Sequence, residues 1–176
     1  LGRLITAIDD KWNIARDSFR LRRAKGAMAC FTIIAMATAP VMLIQSVVPA
    51  SLIGTVLLGV LAWPLVASRS LYDHVAAVAN PLGNGDLESA RQAVAMIVGR
   101  DTSKLDEAGV ARAAIESLAE NASDGIVAPV FWGVVFGLPG IAGYKAINTL
   151  DSMIGHRTPR HEAFGWASAR LDDLAN

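Results

Sequence analysis

Charge is what this sequence has least of. Charged residues make up 18% of its 176, against about 25% in ordinary soluble domains, while hydrophobic residues reach 53%. From Gly26 to Ser68 there is no Asp, Glu, Lys or Arg. That interval holds two of the roughly 20-residue lengths needed to cross a bilayer core, and soluble helices rarely run so far uncharged. The formal charge is zero, so no excess of base marks a nucleic-acid partner. A single cysteine, Cys30, excludes an intrachain disulfide and reads as a buried, inert thiol. The three histidines, His74, His156 and His161, show no zinc-binding spacing. No G-x-x-x-x-G-K-[ST] is present, so an ATP site here is not a Walker P-loop. "GNGDLE" lacks the third glycine of a dinucleotide fingerprint, and no G-x-S-x-G elbow suggests a hydrolase. No useful run of period-2 alternation appears, which leaves an all-α fold. The chain starts with Leu rather than Met, has no recognisable secretory signal, and reads as a piece of a longer protein.

Within that apolar frame the polar residues are grouped. Leu1, Leu4, Ile5, Ile8, Trp12, Ala15 and Phe19 recur at helical spacing and predict an amphipathic helix over 1–25. Its end, "RLRRAKG", suits anionic headgroups, so the helix is expected to lie in a membrane interface. Residues 27–67 predict a transmembrane hairpin turned at Pro49, with both ends cytoplasmic by the position of the basic residues. Pro40 and Pro64 are candidate kinks. Residues 70–124 predict cytoplasmic helices, with "NPLGNGD" a loop, Asp86 and Asp106 N-caps, and Gly99 a helix end. Residues 125–144 are uncharged again but carry five glycines and two prolines. Hydropathy alone allows a third span; "FGLPG" allows a broken, re-entrant pair. Residues 145–176 are polar, with a helix ended by Gly155, a basic loop "HRTPRH", and a last helix. Trp63, Trp132 and Trp166 read as interface or packing residues.

The densest polar stretch is "ESLAENASDG". Glu116 and Glu120 stand one turn apart, so they share a helix face and repel. Asp124 extends that line if the helix persists. A solvated face would explain such a cluster; so would an oxygen-ligand site for Mg²⁺, which binds through one or two carboxylates and substrate phosphates. Lys145, Asn148, Asp151 and Ser152 form a second group just past the uncharged segment, and Arg170, Asp172 and Asp173 a third. Carboxylates beside lysine and arginine on both sides of one apolar segment suggest a convergent phosphate or nucleotide site.

Four stretches, "GDLESARQAVAMIVGRDT", "ESLAENASDGIVAPVFW", "YKAINTLDSMIGHR" and "FGWASARLDDLAN", closely resemble the adenosylcobinamide-phosphate synthase family of cobalamin biosynthesis, CobD or CbiB. The resemblance runs in order along essentially the whole chain. Family members continue past the position of Asn176, so the chain resembles a member lacking its C-terminal part. The resemblance implies a multi-pass enzyme of the inner cell membrane. It would join adenosylcobyric acid to aminopropanol, or its O-phosphate, with ATP and Mg²⁺. Within that reaction Glu116, Glu120, Asp124 and Asp151 are expected to hold metal. Arg100, Lys145 and Arg170 are expected on phosphates, Asn121 and Asn148 on substrate, and Asp172 or Asp173 as a second metal ligand or the base for the amine. Since ATP is cytoplasmic, the mechanism favours the re-entrant form of 125–144. The competing reading is a non-catalytic membrane sensor of the related AmpE type, which needs none of these clusters. "SDGIVAP" lacks the rest of the CDP-alcohol phosphotransferase motif, which removes that class.

Overall fold

A computed structural model describes all of residues 1–176, and every regular element in it is helical. Two compact units form, one from Leu1–Leu65 with Ala128–Asn176 and one from Val66–Val127.

The first unit opens with α1, Gly2–Trp12. The expected helix over 1–25 is interrupted here. Asn13 leaves helical geometry, and its side-chain amide donates to Asp9 Oδ1 at 2.8 Å and to the Arg160 carbonyl at 2.9 Å. The Ser18 hydroxyl then accepts from Leu21 N–H and starts α2, Phe19–Val47. Arg20, Arg22, Arg23 and Lys25 therefore occupy the first turns of the long apolar helix. At 29 residues α2 is about 44 Å long and runs unbroken past Pro40. Gly26, Ala29, Cys30 and Ile33 are buried, while Phe31, Leu43 and Val47 are each at least 70% exposed. Apolar side chains facing outward on an apolar helix suit a lipid surround. The break at Pro49 is as expected. It leads to α3, Leu52–Ala62, capped by Ser51, and a tight 3₁₀ turn at Trp63–Leu65 takes up Pro64. Two stretches, Phe19–Val47 and Leu52–Gly83, are long and apolar enough to cross a membrane.

The uncharged segment is broken. α7 (Ala128–Phe136) and α8 (Leu138–Leu150) fold back on each other about Gly137, whose φ is +69°. Only glycine adopts that conformation without strain. A Cβ there would also lie 2.4 Å from Gln45 Oε1. That oxygen accepts the Leu138 N–H at 2.9 Å, giving the start of α8 the partner its own helix lacks. At 9 and 13 residues, α7 and α8 reach about 14 and 20 Å, each short of a hydrocarbon core. After α8 the helix widens to π geometry at Asp151–Gly155, and a loop leads to α9, Trp166–Ala175. Ile5, Ile33, Leu150, Ile154 and Phe164 form the shared core.

The second unit contains α4 (Ser68–Gly83), α5 (Leu87–Ala95) and α6 (Glu107–Ala122), packed through Val78, Ala90, Val94, Val110 and Ala113. Asp86 and Asp106 cap α5 and α6, accepting from Ser89 and Gly109 N–H. The expected loop at "NPLGNGD" is shorter than its composition suggests. α4 continues through Pro81 to Gly83, held by Val78 and Leu82 in the core, so only 84–86 turn. α5 also stops at Ala95, before Gly99, and the Ile97 carbonyl instead accepts from Ser117 Oγ at 3.0 Å.

One polar network ties the first unit's ends together. Arg160 donates to Asp9 Oδ2 through Nε at 2.9 Å, with Nη2 2.7 Å away, and Nη2 also reaches Asp10 Oδ1. His161 Nε2 lies 3.3 Å from the same Asp9 oxygen, and Arg22 bonds Asn13 Oδ1 and the Arg160 carbonyl. Burial pushes the Asp9 carboxyl up. Hydrogen bonds from Asn13, Arg160 and His161, with the charge of Arg160, outweigh that and hold it below its ordinary value of 3.8.

Arg160→Ala strands a buried carboxylate and should destabilise the protein by about 1–3 kcal/mol in thermal or denaturant melts. The acid side should show the same link. Because the folded Asp9 value is depressed, its contribution is complete above 3.8 and is lost as pH falls from there through the lower folded value. Asp9→Asn should flatten that part of a stability–pH profile; an unchanged profile would remove Asp9 from the account.

Candidate functional site

Each unit carries its own set of the residues singled out from sequence. In the second unit, Arg100, Glu116 and Glu120 line one hollow of about 230 Å³ with Ile97, Val98 and Ser117. The hollow exists because Ser117, buried on α6, draws the chain after α5 toward it through the Ile97 carbonyl. Thr102 Oγ1 donates to the Arg91 carbonyl and Arg91 Nε to the Leu105 carbonyl, which fixes the connection that presents Arg100. Arg100 Nη2 meets Glu116 Oε2 at 2.9 Å, both side chains being more than half exposed. Such a pair contributes little to stability and is easily exchanged for a ligand. Asn121 spends its amide within α6, donating to the carbonyl and hydroxyl of Ser117.

Asp124 stands apart from the acidic line that regular spacing suggests. α6 ends at Ala122 and the chain widens to π geometry over Ser123–Val127, which moves Asp124 off the i,i+4 register of Glu116 and Glu120. Within the first unit Asp151 begins the other π turn. Such turns are rare, well under 1% of residues, and concentrate at functional sites. This chain places both of them at its acidic motifs. Period-3.6 reasoning has no means of locating them.

In the first unit Lys145, Asn148 and Asp151 recur every three residues on α8 and its π extension, all partly buried. Gly155 is required beside Asp151: a Cβ on it would sit 1.9 Å from Asp151 Oδ1. Gly155 also lines a pocket of about 270 Å³ with Phe19, Arg157, Glu162, Trp166, Arg170 and Asp173. Arg170 Nη1 lies 3.5 Å from Asp173 Oδ2 across one turn of α9, while Asp172 is partly buried on the same helix. Arg157 and Glu162 were not foreseen as site residues. The only hint was the basic loop "HRTPRH", which composition alone reads as solvated. No three acidic, histidine or cysteine side chains within either unit gather as a preformed metal cage. The two glutamates of the second unit's hollow still match Mg²⁺ chemistry, since that ion needs one or two carboxylates beside phosphate oxygens.

Comparison with known proteins gives a consistent result. The family model described as CobD/Cbib protein matches residues 1–176. "Cobalamin biosynthesis protein CobD" of Rhodobacter capsulatus is 61% identical over 176 residues, covering all of this chain and 55% of the relative. The protein of that name from Rhizobium meliloti is 47% identical over 176 residues, 99% of this chain and 54% of the relative. That from a Sinorhizobium species is 61% identical over 124 residues, 70% of this chain and 38% of the relative. The chain spans about half the length, or less, of these curated relatives. No solved structure matches it.

The contact between Gly155 and Asp151 can be tested by a double-mutant cycle. Gly155→Ala should cost about 1–3 kcal/mol through overpacking. Asp151→Ala should relieve most of that cost, giving a coupling of about 1 kcal/mol or more in denaturant melts. Additive effects would show that the two residues do not meet.

Proposed function

Because the chain belongs to the CobD/CbiB family of cobalamin biosynthesis, we propose that the full-length protein forms an amide bond between adenosylcobyric acid and aminopropanol or its O-phosphate, driven by ATP at the inner cell membrane. The observation that carries this reading is the placing of carboxylates with cations at two built hollows. Arg100, Glu116 and Glu120 line one; Arg170 and Asp173 line the other, with Asp151 against its wall. A bare sensor needs neither.

The chemistry assigns roles. A propionate carboxylate is a poor acyl donor. Its oxygen attacks the γ-phosphorus of ATP, the bond to the β-phosphate oxygen breaks, and ADP leaves. The amine nitrogen then attacks the acyl carbon, the C–N bond forms and inorganic phosphate departs. Arg100, Lys145 and Arg170 stabilise phosphate charge through these steps, as guanidinium and ammonium groups do for charge that moves in a transition state. Asn121 and Asn148 position substrate. Asp172 or Asp173 takes the proton released by the amine. Glu116, Glu120 and Asp124 in the second unit, and separately Asp151 in the first, are the oxygen donors proposed for Mg²⁺, which when bound would supply charge neutralisation across the phosphates. Helices α7 and α8, each too short to span, support a re-entrant reading of 125–144. A pair of this kind enters and leaves a bilayer on one side, which suits a reaction supplied by cytoplasmic ATP.

Glu120→Ala and Asp151→Ala in the full-length protein should each lower ATP-dependent amide formation by about 100-fold or more, on the scale of losing one charge-stabilising group. Membrane insertion should be unchanged. Measured with adenosylcobyric acid, ATP, Mg²⁺ and each amine, full activity of either variant would take that residue out of the reaction.

A further inference from the structure

Helix α9 runs beside α2 in the same direction and stops partway along it. Just before α9 starts, the Phe164 carbonyl lies against Gly26, too close for any side chain there. Farther on, Leu171 packs on the core that holds Ile33. At the far end the Ala175 carbonyl accepts the Trp132 indole N–H at 2.8 Å. Ala167, Leu171 and Ala175 recur every four residues, and all three face inward.

Where α9 stops, an open groove of about 590 Å³ begins. Thr38, Met42 and Gln45 of α2 line it with Gly143 of α8 and with Trp132 and Phe136 of α7. Trp132 is thus both a wall of the groove and the partner of Ala175. The polar groups of the walls are already committed. Thr38 donates to the Ile34 carbonyl, Ser46 to the Leu43 carbonyl, and Gln45 Oε1 accepts the Leu138 N–H. What the groove offers is apolar surface, with Met42 and Phe136 each 58% exposed. Family members continue past the position of Asn176, and this chain spans about half the length of its curated relatives.

We propose that the residues following Asn176 in the full-length protein continue α9 as an apolar helix and fill this groove. From Thr38 to Ser46 α2 rises about 12 Å, so roughly eight further residues reach the groove's far end. The Ala175 carbonyl keeps the indole and also accepts the N–H four residues on, since its oxygen has two lone pairs. Arg170, Asp172 and Asp173 then stand on a helix anchored at both ends, and the part of the protein beyond 1–176 completes the support of that candidate site.

The test uses full-length protein in its membrane, with Cys30 and any cysteine outside 1–176 replaced by Ala. Met42→Cys, or Phe136→Cys on the neighbouring helix, is combined with a single cysteine moved through about a dozen positions after Asn176. At 58% exposure neither Met42 nor Phe136 is needed for packing. Mild oxidation should give intramolecular disulfides from both walls, peaking every three or four positions as on a helix face. Disulfides that only join two copies would give the groove to a second protomer. Thiols that stay reduced at every position, from both walls, would leave it to lipid. Either result would overturn the proposal. Glu120→Ala, which tests amide formation, should leave the disulfide pattern unchanged, so the two readings fail separately.

Discussion

The hydrogen bond from Leu138 N–H to Gln45 Oε1 meets a constraint that apolar surroundings impose on any chain. Where no water is available, each backbone polar group needs a partner inside the protein. A helix broken midway exposes the amides of its second half, and here a lone amide side chain on α2 covers the first of them. Gly137 makes the turn possible and Gln45 makes it tolerable. With both in place, α7 and α8 form a short folded-back pair, and α8 delivers Lys145, Asn148 and Asp151 from an uncharged segment into a polar one.

The two π turns then act at the places where helix gives way to chemistry. Regular α geometry would stack Glu116, Glu120 and Asp124 along one face. Widening at Ser123–Val127 re-aims Asp124, and widening at Asp151–Gly155 seats the Asp151 carboxylate over a glycine with no side chain to obstruct it. At the other end of the first unit, Asp9 gathers Asn13, Arg160 and His161 around one buried charge and so fixes the loop that carries Arg157 and Glu162. Charge is scarce in this sequence, and much of it is committed to holding loops in place or to lining a hollow.

What could be read from residue order was governed by local rules. The caps Asp86 and Asp106, the break at Pro49, the end at Gly155 and the final helix all depend on neighbours within a few residues. So did the choice offered by "FGLPG", though its partner Gln45 lies 93 residues away and could not be named. The interruption at Asn13 was invisible for the same reason, since its side chain bonds the Arg160 carbonyl 147 residues on. Pro81 shows the opposite failure: a local breaker was overruled by burial of Val78 and Leu82. Among the site residues, Arg100, Glu116 and Glu120 do meet in one hollow, and Arg170 and Asp173 in another. Arg157 and Glu162 sit in a loop whose composition carries no period to expose them.

The folded-back pair is the feature most open to direct measurement. A Cβ built on Gly133 lies 2.9 Å from Ile141 Cγ1, across the turn at Gly137. Along a straight helix those positions stand eight residues, or about 12 Å, apart, beyond the roughly 7 Å over which two Cα atoms can be bridged. Full-length protein carrying Gly133→Cys and Ile141→Cys, with Cys30 and any cysteine outside 1–176 replaced by Ala, should form an intramolecular disulfide on mild oxidation in its membrane. Two thiols that stay reduced under conditions that oxidise a control pair would mean a continuous helix, and would contradict the account.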